Sequence, residues 1–231
     1  MYGSAQTSSV QLWNEYMLNI PFSERFTLEL APTYSTVLDQ PKWRSLDLQL
    51  SPEYSLNKHL DFVSAILYNN TFQNAQVSTN EIREMIGVRY YLTPDKWFST
   101  RLLLRLEQRN QYDKSSDTWN HSTRSRLRAE AVVPLKRRKL SDGDKIWYVM
   151  TDIEGFILLD KDLEERFANR LRYRAGVGYK FNAKFRAEIV YTLQLSRNTI
   201  DGDVSTADNI IRLRLKQYIP LRKKQAVADP D

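Results

Sequence analysis

Cysteine is absent from the 231 residues. With it go disulfides, thiolate nucleophiles and cysteine metal sites. Long hydrophobic runs are absent as well. The apolar stretches are short, as in Gly155-Phe156-Ile157-Leu158-Leu159, whereas a membrane helix needs roughly 20 apolar residues in succession. Mean hydropathy is low, at −0.55. The chain is therefore either soluble or a membrane β-barrel, whose apolar residues alternate instead of running together. Glycine is scarce, with seven in all, and no Gly-rich phosphate loop is present. No Pro/Gly/Ser-rich linker or abrupt change of composition divides the chain, so a single domain is expected. The start, Met1-Tyr2-Gly3-Ser4-Ala5-Gln6, shows neither a basic n-region nor an apolar h-region. An exported protein needs such a signal, so the export reading carries the expectation that it has been removed or lost from this version of the sequence.

What is present is a period of two. Thr100, Leu102, Leu104, Leu106 and Gln108 point one way, and Arg101, Leu103, Arg105, Glu107 and Arg109 point the other, because successive side chains of a strand alternate faces. Leu171, Tyr173, Ala175, Val177, Tyr179 and Phe181 likewise oppose Arg170, Arg172, Arg174, Gly176, Gly178 and Lys180. Similar segments fall near 10–21, 25–36, 43–55, 60–72, 80–92, 98–112, 122–135, 146–159, 166–181, 184–197 and 208–220. Many exceed the ordinary soluble strand of about 5–6 residues and suit a tilted bilayer crossing of about 9–11. Short turns at Pro21–Glu24, Leu56–His59, Thr93–Lys96 and Asn182–Lys184 alternate with longer polar links such as Gln111–His121 and Asn198–Asp208. That is the pattern of an outer-membrane barrel, with short periplasmic turns and longer extracellular loops. One turn-side connection, Lys136–Lys145, is longer than the rule predicts. Tyr16, Tyr34, Tyr90, Trp97, Phe98, Trp147, Phe167, Tyr179, Phe181, Phe185 and Tyr218 lie mostly towards strand ends, where an interfacial girdle places its rings.

The expected architecture is an all-β, antiparallel transmembrane barrel of about 10–12 strands. It covers residues 10–220, after an N-terminal segment 1–9 and before a polar tail 221–231. Eleven segments are visible, although bacterial single-chain barrels normally have an even number.

Net charge is +6 and the isoelectric point is near 9.4. The placement of the charges is more informative than their sum. If the apolar face meets lipid, the other face lines the lumen. Its basic members are Arg83, Arg89, Arg101, Arg105, Arg109, Arg124, Arg126, Arg128, Arg170, Arg172, Arg174, Arg186, Arg212, Arg214 and Lys216. Its acidic members are Glu15, Glu29, Asp47, Glu107, Glu130, Asp152, Glu154 and Glu188. Two uses compete. Arginine forks paired with carboxylates across strands would lock the interior, and Arg105-Glu107-Arg109 facing Arg128-Glu130 would suit that. Unpaired arginines would instead favour anionic solutes in a narrow pore.

Catalytic chemistry finds little support. Only His59 and His121 exist, both expected in connections, and His121 and Ser122 would point oppositely if they lay in a strand. Asp201-Gly202-Asp203 and Asp208 miss the EF-hand spacing and read as a solvated turn. No enzyme activity, cofactor or metal site is expected. Nucleic acid is not an expected partner, since the arginines interleave with apolar positions instead of forming an exposed stripe.

In order along the chain come Trp13-x-Glu15-Tyr16, Arg105-x-Glu107-x-Arg109, Arg124-x-Arg126-x-Arg128-x-Glu130 and Asp152-x-Glu154-x-Phe156. Then follow Arg170-x-Arg172-Tyr173-Arg174-x-Gly176-x-Gly178-Tyr179, Glu188 and Tyr191. This succession resembles the domain-of-unknown-function 2490 family of outer-membrane barrels over nearly the whole chain. The resemblance implies an exported barrel with no established activity and no catalytic or ligand residues. The chain departs from that pattern in its missing signal and in the polar tail after Tyr218-Ile219-Pro220. The Arg-lined wall is also similar, in general terms, to that of acidic-oligosaccharide porins.

The leading functional expectation is a Gram-negative outer-membrane barrel with a narrow, anion-favouring pore, in contact with outer-membrane lipid and small anionic solutes. The alternatives are a closed structural or accessory barrel with envelope-protein partners, and a soluble ligand-binding barrel.

Overall fold

Among the described residues, the regular structure is eleven strands. The structure, a computed structural model, describes residues 9–39, 43–73, 76–158, 170–197 and 204–220. The N-terminal segment up to residue 8, the tail from 221, Phe167 and the Asp201–Asp203 turn lie outside the described residues. The strands are β1 (Val10–Pro21), β2 (Phe26–Val37), β3 (Arg44–Ser55), β4 (Leu60–Gln73), β5 (Gln76–Tyr91) and β6 (Ser99–Asp113), followed by β7 (Thr118–Pro134), β8 (Ile146–Leu158), β9 (Arg170–Lys180), β10 (Phe185–Arg197) and β11 (Val204–Tyr218). Each pairs antiparallel with the next, and the sheet closes on itself.

The odd count explains the closure. After an odd number of up-and-down strands, the first and last run in the same direction and must pair parallel. β1 and β11 do so from Val10↔Asn209 to Asn19↔Tyr218. Eleven strands lie within the expected range, and the even-number rule is escaped through this one parallel seam. Two prolines interrupt the ladder, because proline has no N–H to donate. The β1–β2 register skips the positions around Pro32, and the β3–β4 register skips those around Pro52.

The two faces are chemically opposite. Ile66 is 58% exposed and Ile86 63%, on the outside of the barrel. Their inward neighbours Ala65 and Met85 are buried and pack with Leu67. The outer wall carries leucine, isoleucine and aromatic side chains along its length, while the buried polar side chains face inward.

Strand ends differ from the sequence reading at one end of the barrel. The long link expected over Gln111–His121 shrinks to residues 114–117, since β6 reaches Asp113 and β7 begins at Thr118. β5 and β11 also start earlier than the hydrophobic pattern indicates, at Gln76 and Val204. The reason is that backbone pairing needs no apolar side chains, so polar residues extend the hairpins past the apolar band. His121 consequently lies in β7, not in a connection; its Nδ1 is 2.7 Å from Asn110 Oδ1 and its ring stacks beside Trp119.

The opposite end, the turn end, carries connections 22–25, 56–59, 92–98, 135–145 and 181–184. The connection that the sequence makes too long, 135–145, is a folded cap. Lys180 Nζ donates to the carbonyls of Leu140 (2.8 Å) and Gly143 (2.5 Å). Arg138 Nη2 donates to Asp144 O at 3.1 Å. Lys145 takes a positive φ of 56° as the chain re-enters β8. Ile146 and Tyr148 follow it and are buried almost completely.

The parallel seam is directly testable in a chain that has no cysteine of its own. Leu12→Cys with Ile211→Cys places thiols at paired positions. Oxidation is expected to yield an intrachain link, seen as a reductant-sensitive mobility shift. A pair offset along the strand, Leu12→Cys with Leu215→Cys, is expected to give none. The reverse result would disprove this register.

Candidate functional site

The inward positions converge on two carboxylates. Glu107, in the middle of β6, and Glu154, in β8, are both 0% exposed. An isolated buried carboxylate is strongly disfavoured, so each must be held by cations and hydrogen bonds. Glu107 faces Arg124 (2.6 Å), Arg126 (2.5 Å) and Arg105 (3.3 Å). Glu154 faces Arg126 (2.5 Å), Arg174 (3.1 Å), Arg172 (3.7 Å) and Arg128 (3.9 Å). Arg126 therefore bridges the two, donating Nη1 to Glu107 and both Nε and Nη2 to Glu154.

An aromatic ring organises the arginines that crowd these carboxylates. Phe156 lies two residues from Glu154 on the same face and is 3% exposed. The guanidinium carbons of Arg126, Arg172 and Arg124 lie 4.5, 4.9 and 5.0 Å from its ring centre. The negative ring face offsets part of the mutual repulsion of the cations.

Smaller pairings continue around the wall. Arg174 Nε meets Asp152 at 2.6 Å, and Arg101 meets Glu130 at 2.5 Å. Glu81 takes Arg83 (2.7 Å) and Arg109 (2.8 Å). Arg89 reaches from β5 to Glu53 on β3 (2.7 Å) and to Asp61 on β4 (3.4 Å). Glu188 holds Arg214 (2.9 Å), Lys216 (2.8 Å) and the hydroxyl of Tyr148 (2.6 Å). Across the parallel seam, Glu15 accepts from Arg214 and lies 3.4 Å from Arg212, whose guanidinium covers the Trp13 ring. Tyr148 can lie in this network because its neighbour on β9 is Gly178. A Cβ there would sit 2.2 Å from the phenol ring.

Most of the charged residues proposed from sequence thus pair inside the barrel, nine of them in the Glu107–Glu154 network and the others in separate groups, but not in the expected register. Arg105-Glu107-Arg109 does not face Arg128-Glu130. Arg105 is level with Arg126, Glu107 with Arg124, and Glu130 with Arg101. Arg109 turns to the other neighbouring strand and meets Glu81. Arg186 stands apart: it covers the Tyr218 ring at 4.6 Å and has no ion pair among the described residues. The side chain of Arg170 lies outside the described residues. The sequence reading missed Glu53, Asp61 and Glu81 as partners, and Phe156 and Tyr148 as organisers. Glu81 lies within the 80–92 segment and shares the parity of Arg83 and Arg89, so the alternation itself would have found it. Phe156 stands in the Asp152-x-Glu154-x-Phe156 motif, but its role depends on which arginines the neighbouring strands supply.

A sequence profile described as protein of unknown function (DUF2490) matches residues 10–205, from the start of β1 into the start of β11. The chain belongs to the DUF2490 family. No curated protein matches it in sequence. Among the described side chains, the motif residues that carry the resemblance fall on the inner wall of this DUF2490 barrel, apart from Tyr16, Tyr173, Tyr179 and Tyr191, which alternate outward. Among the described residues, no cluster of three or more carboxylate or histidine side chains could hold a metal ion.

Two substitutions test the network. Glu154→Gln removes the one carboxylate that Arg126, Arg172 and Arg174 share, leaving Arg126 to Glu107 and Arg174 to Asp152. Removal of one partner from a buried pair costs about 3–5 kcal/mol, and equilibrium denaturant unfolding should show a loss of that size. A change under about 1 kcal/mol, the scale of an exposed pair, would contradict the placement. Gly178→Ala is expected to displace Tyr148 from Glu188 at a cost of about 1–3 kcal/mol, the range for overpacking. Adding Tyr148→Phe should then cost little more, because the hydroxyl bond has already been lost.

Proposed function

We propose that this DUF2490 barrel resides in a Gram-negative outer membrane as a closed, internally salt-bridged barrel, a structural or accessory element of the envelope with no enzymatic role. The inversion of its faces carries the membrane reading. A soluble barrel buries leucine and isoleucine and exposes its charges. Here Ile86 and Ile189 are more than 60% exposed, while Glu107 and Glu154 are fully buried. Strands of 11 to 17 residues exceed the length needed to cross at a tilt, and closure leaves no unpaired edge to face hydrocarbon. Rings lie near both ends of the outer wall: exposed Trp147 beside half-buried Tyr179 at the turn end, and exposed Trp119 beside half-buried Tyr112 at the other. Rings so placed suit the two interfaces of a bilayer.

The preference for a closed barrel over an anion pore rests on the interior. Pore-lining arginines stay hydrated and uncommitted. In this interior the bridging arginine is itself buried, and the apolar Met85 on the far side of Glu107 is 3% exposed. That degree of burial favours side-chain filling at this level, as expected for narrow barrels.

Two measurements test the reading. The protein is expected to fractionate with outer membranes and to run as a compact, heat-modifiable band. Recovery from the soluble fraction would overturn the membrane placement. In a planar bilayer the folded protein is expected to carry no steady current. Steady, anion-selective steps would replace the closed barrel with the narrow anion pore.

A further inference from the structure

A cavity of about 430 Å³ opens inside the barrel at the turn end. Its floor is formed by inward residues of β6–β8, β10 and β11, and its rim by the connections 56–59, 92–98 and 135–145. The volume lies within the roughly 300–1,000 Å³ of small-molecule sites. Six cations line it against two carboxylates. Three of the cations are committed. Arg101 pairs with Glu130, Lys216 with Glu188, and Lys58 with Asp95 on the rim. The Lys58 ammonium, hydrogen-bonded to that carboxyl, lowers its pKa from the ordinary aspartate value.

The other three are not. Lys96, Lys139 and Arg186 have no ion-pair partner among the described residues, and each comes from a different element. Arg186 Nε is buried without a hydrogen-bond partner, a state proteins seldom leave unfilled. Its guanidinium carbon lies over the Tyr218 ring, 4.6 Å from the centre. Trp97 and Phe98, packed edge to face at 5.4 Å, border the same space with Met150. The sequence reading placed Trp97, Phe98 and Tyr218 in an outer girdle; all three line the cavity. A multi-oxygen anion suits three cations lining one cavity, and a flat apolar body suits the rings beside them.

We propose that this mouth is a binding site for a phosphomonoester carried on a flat apolar body, with Lys96, Lys139 and Arg186 holding the phosphate and Trp97 and Phe98 the body. The site is independent of the closed-lumen reading, since binding and conduction are measured separately. The same phosphate can arrive on a soluble aromatic ester or on the headgroup of a lipid such as phosphatidate, which offers the phosphate to the three cations without the flat body, and the assay separates the two.

The full chain, folded in zwitterionic bilayer discs, is titrated calorimetrically with phenyl phosphate. Saturable 1:1 binding is expected, with inorganic phosphate and phenol each at least about tenfold weaker, since each lacks one half of the contacts. Lys96→Gln with Lys139→Gln is expected to weaken binding by about tenfold or more, as loss of charge-assisted bonds does. Both positions lie in connections, so the test survives if Arg186→Gln fails to fold. Lys114→Gln, at the opposite end, is expected to bind as the parent does. Competition from discs doped with phosphatidic acid assigns the site to a lipid headgroup, and its absence assigns it to a soluble ligand. No saturable binding, or unchanged affinity in the double lysine variant, overturns the proposal.

Discussion

Arg126 is the side chain on which the interior turns. Its guanidinium is shared between Glu107 on β6 and Glu154 on β8, so one cation ties three consecutive strands together. Buried carboxylates need such cations, and Arg126 is the one that serves both, beside Arg124 for Glu107 and Arg174 for Glu154. The neighbouring arginines then have to be accommodated around two anions. Phe156 does this with its ring, and the second tier of pairs, such as Arg174 with Asp152, spreads the remaining charge along the wall. A network of this kind contributes more to specifying one arrangement than to raw stability. Replacing such pairs with apolar groups is often neutral, but removing one partner is severe.

The same requirement accounts for features elsewhere. The charges can be shielded from water only if the sheet closes, and with eleven strands it closes only through a parallel seam. Glu15, Arg212 and Arg214 pair across that seam, so the electrostatics reinforce the least regular pairing in the barrel. At the turn end, Gly178 admits the Tyr148 ring, Tyr148 reaches Glu188, and the 135–145 cap folds over them, anchored by Lys180. The cap also bounds the cavity proposed to bind a phosphomonoester. An overlong connection therefore appears as a built part of the mouth.

Much of this was legible in the sequence. Alternation identified the faces of β6 and β9 residue by residue, because a strand has a period of two whatever it packs against. It placed most of the arginines and carboxylates on one wall. Strand ends at Gln76, Thr118 and Val204 were not legible, since backbone hydrogen bonds continue where the apolar pattern stops. The partners of each arginine were also hidden. Arg109 can reach carboxylates on either neighbouring strand, and only the register decides that it meets Glu81 and leaves Glu130 to Arg101.

By itself, the sequence determined an all-β chain with one charged and one apolar face and roughly this many strands. These properties follow from local covalent geometry and the order of side chains. The tertiary structure alone decided how the barrel closes, which carboxylates are fully buried, and that Lys96, Lys139 and Arg186 line one cavity. Those outcomes depend on contacts between residues far apart in the chain, which exist only once register and closure have brought the strands together.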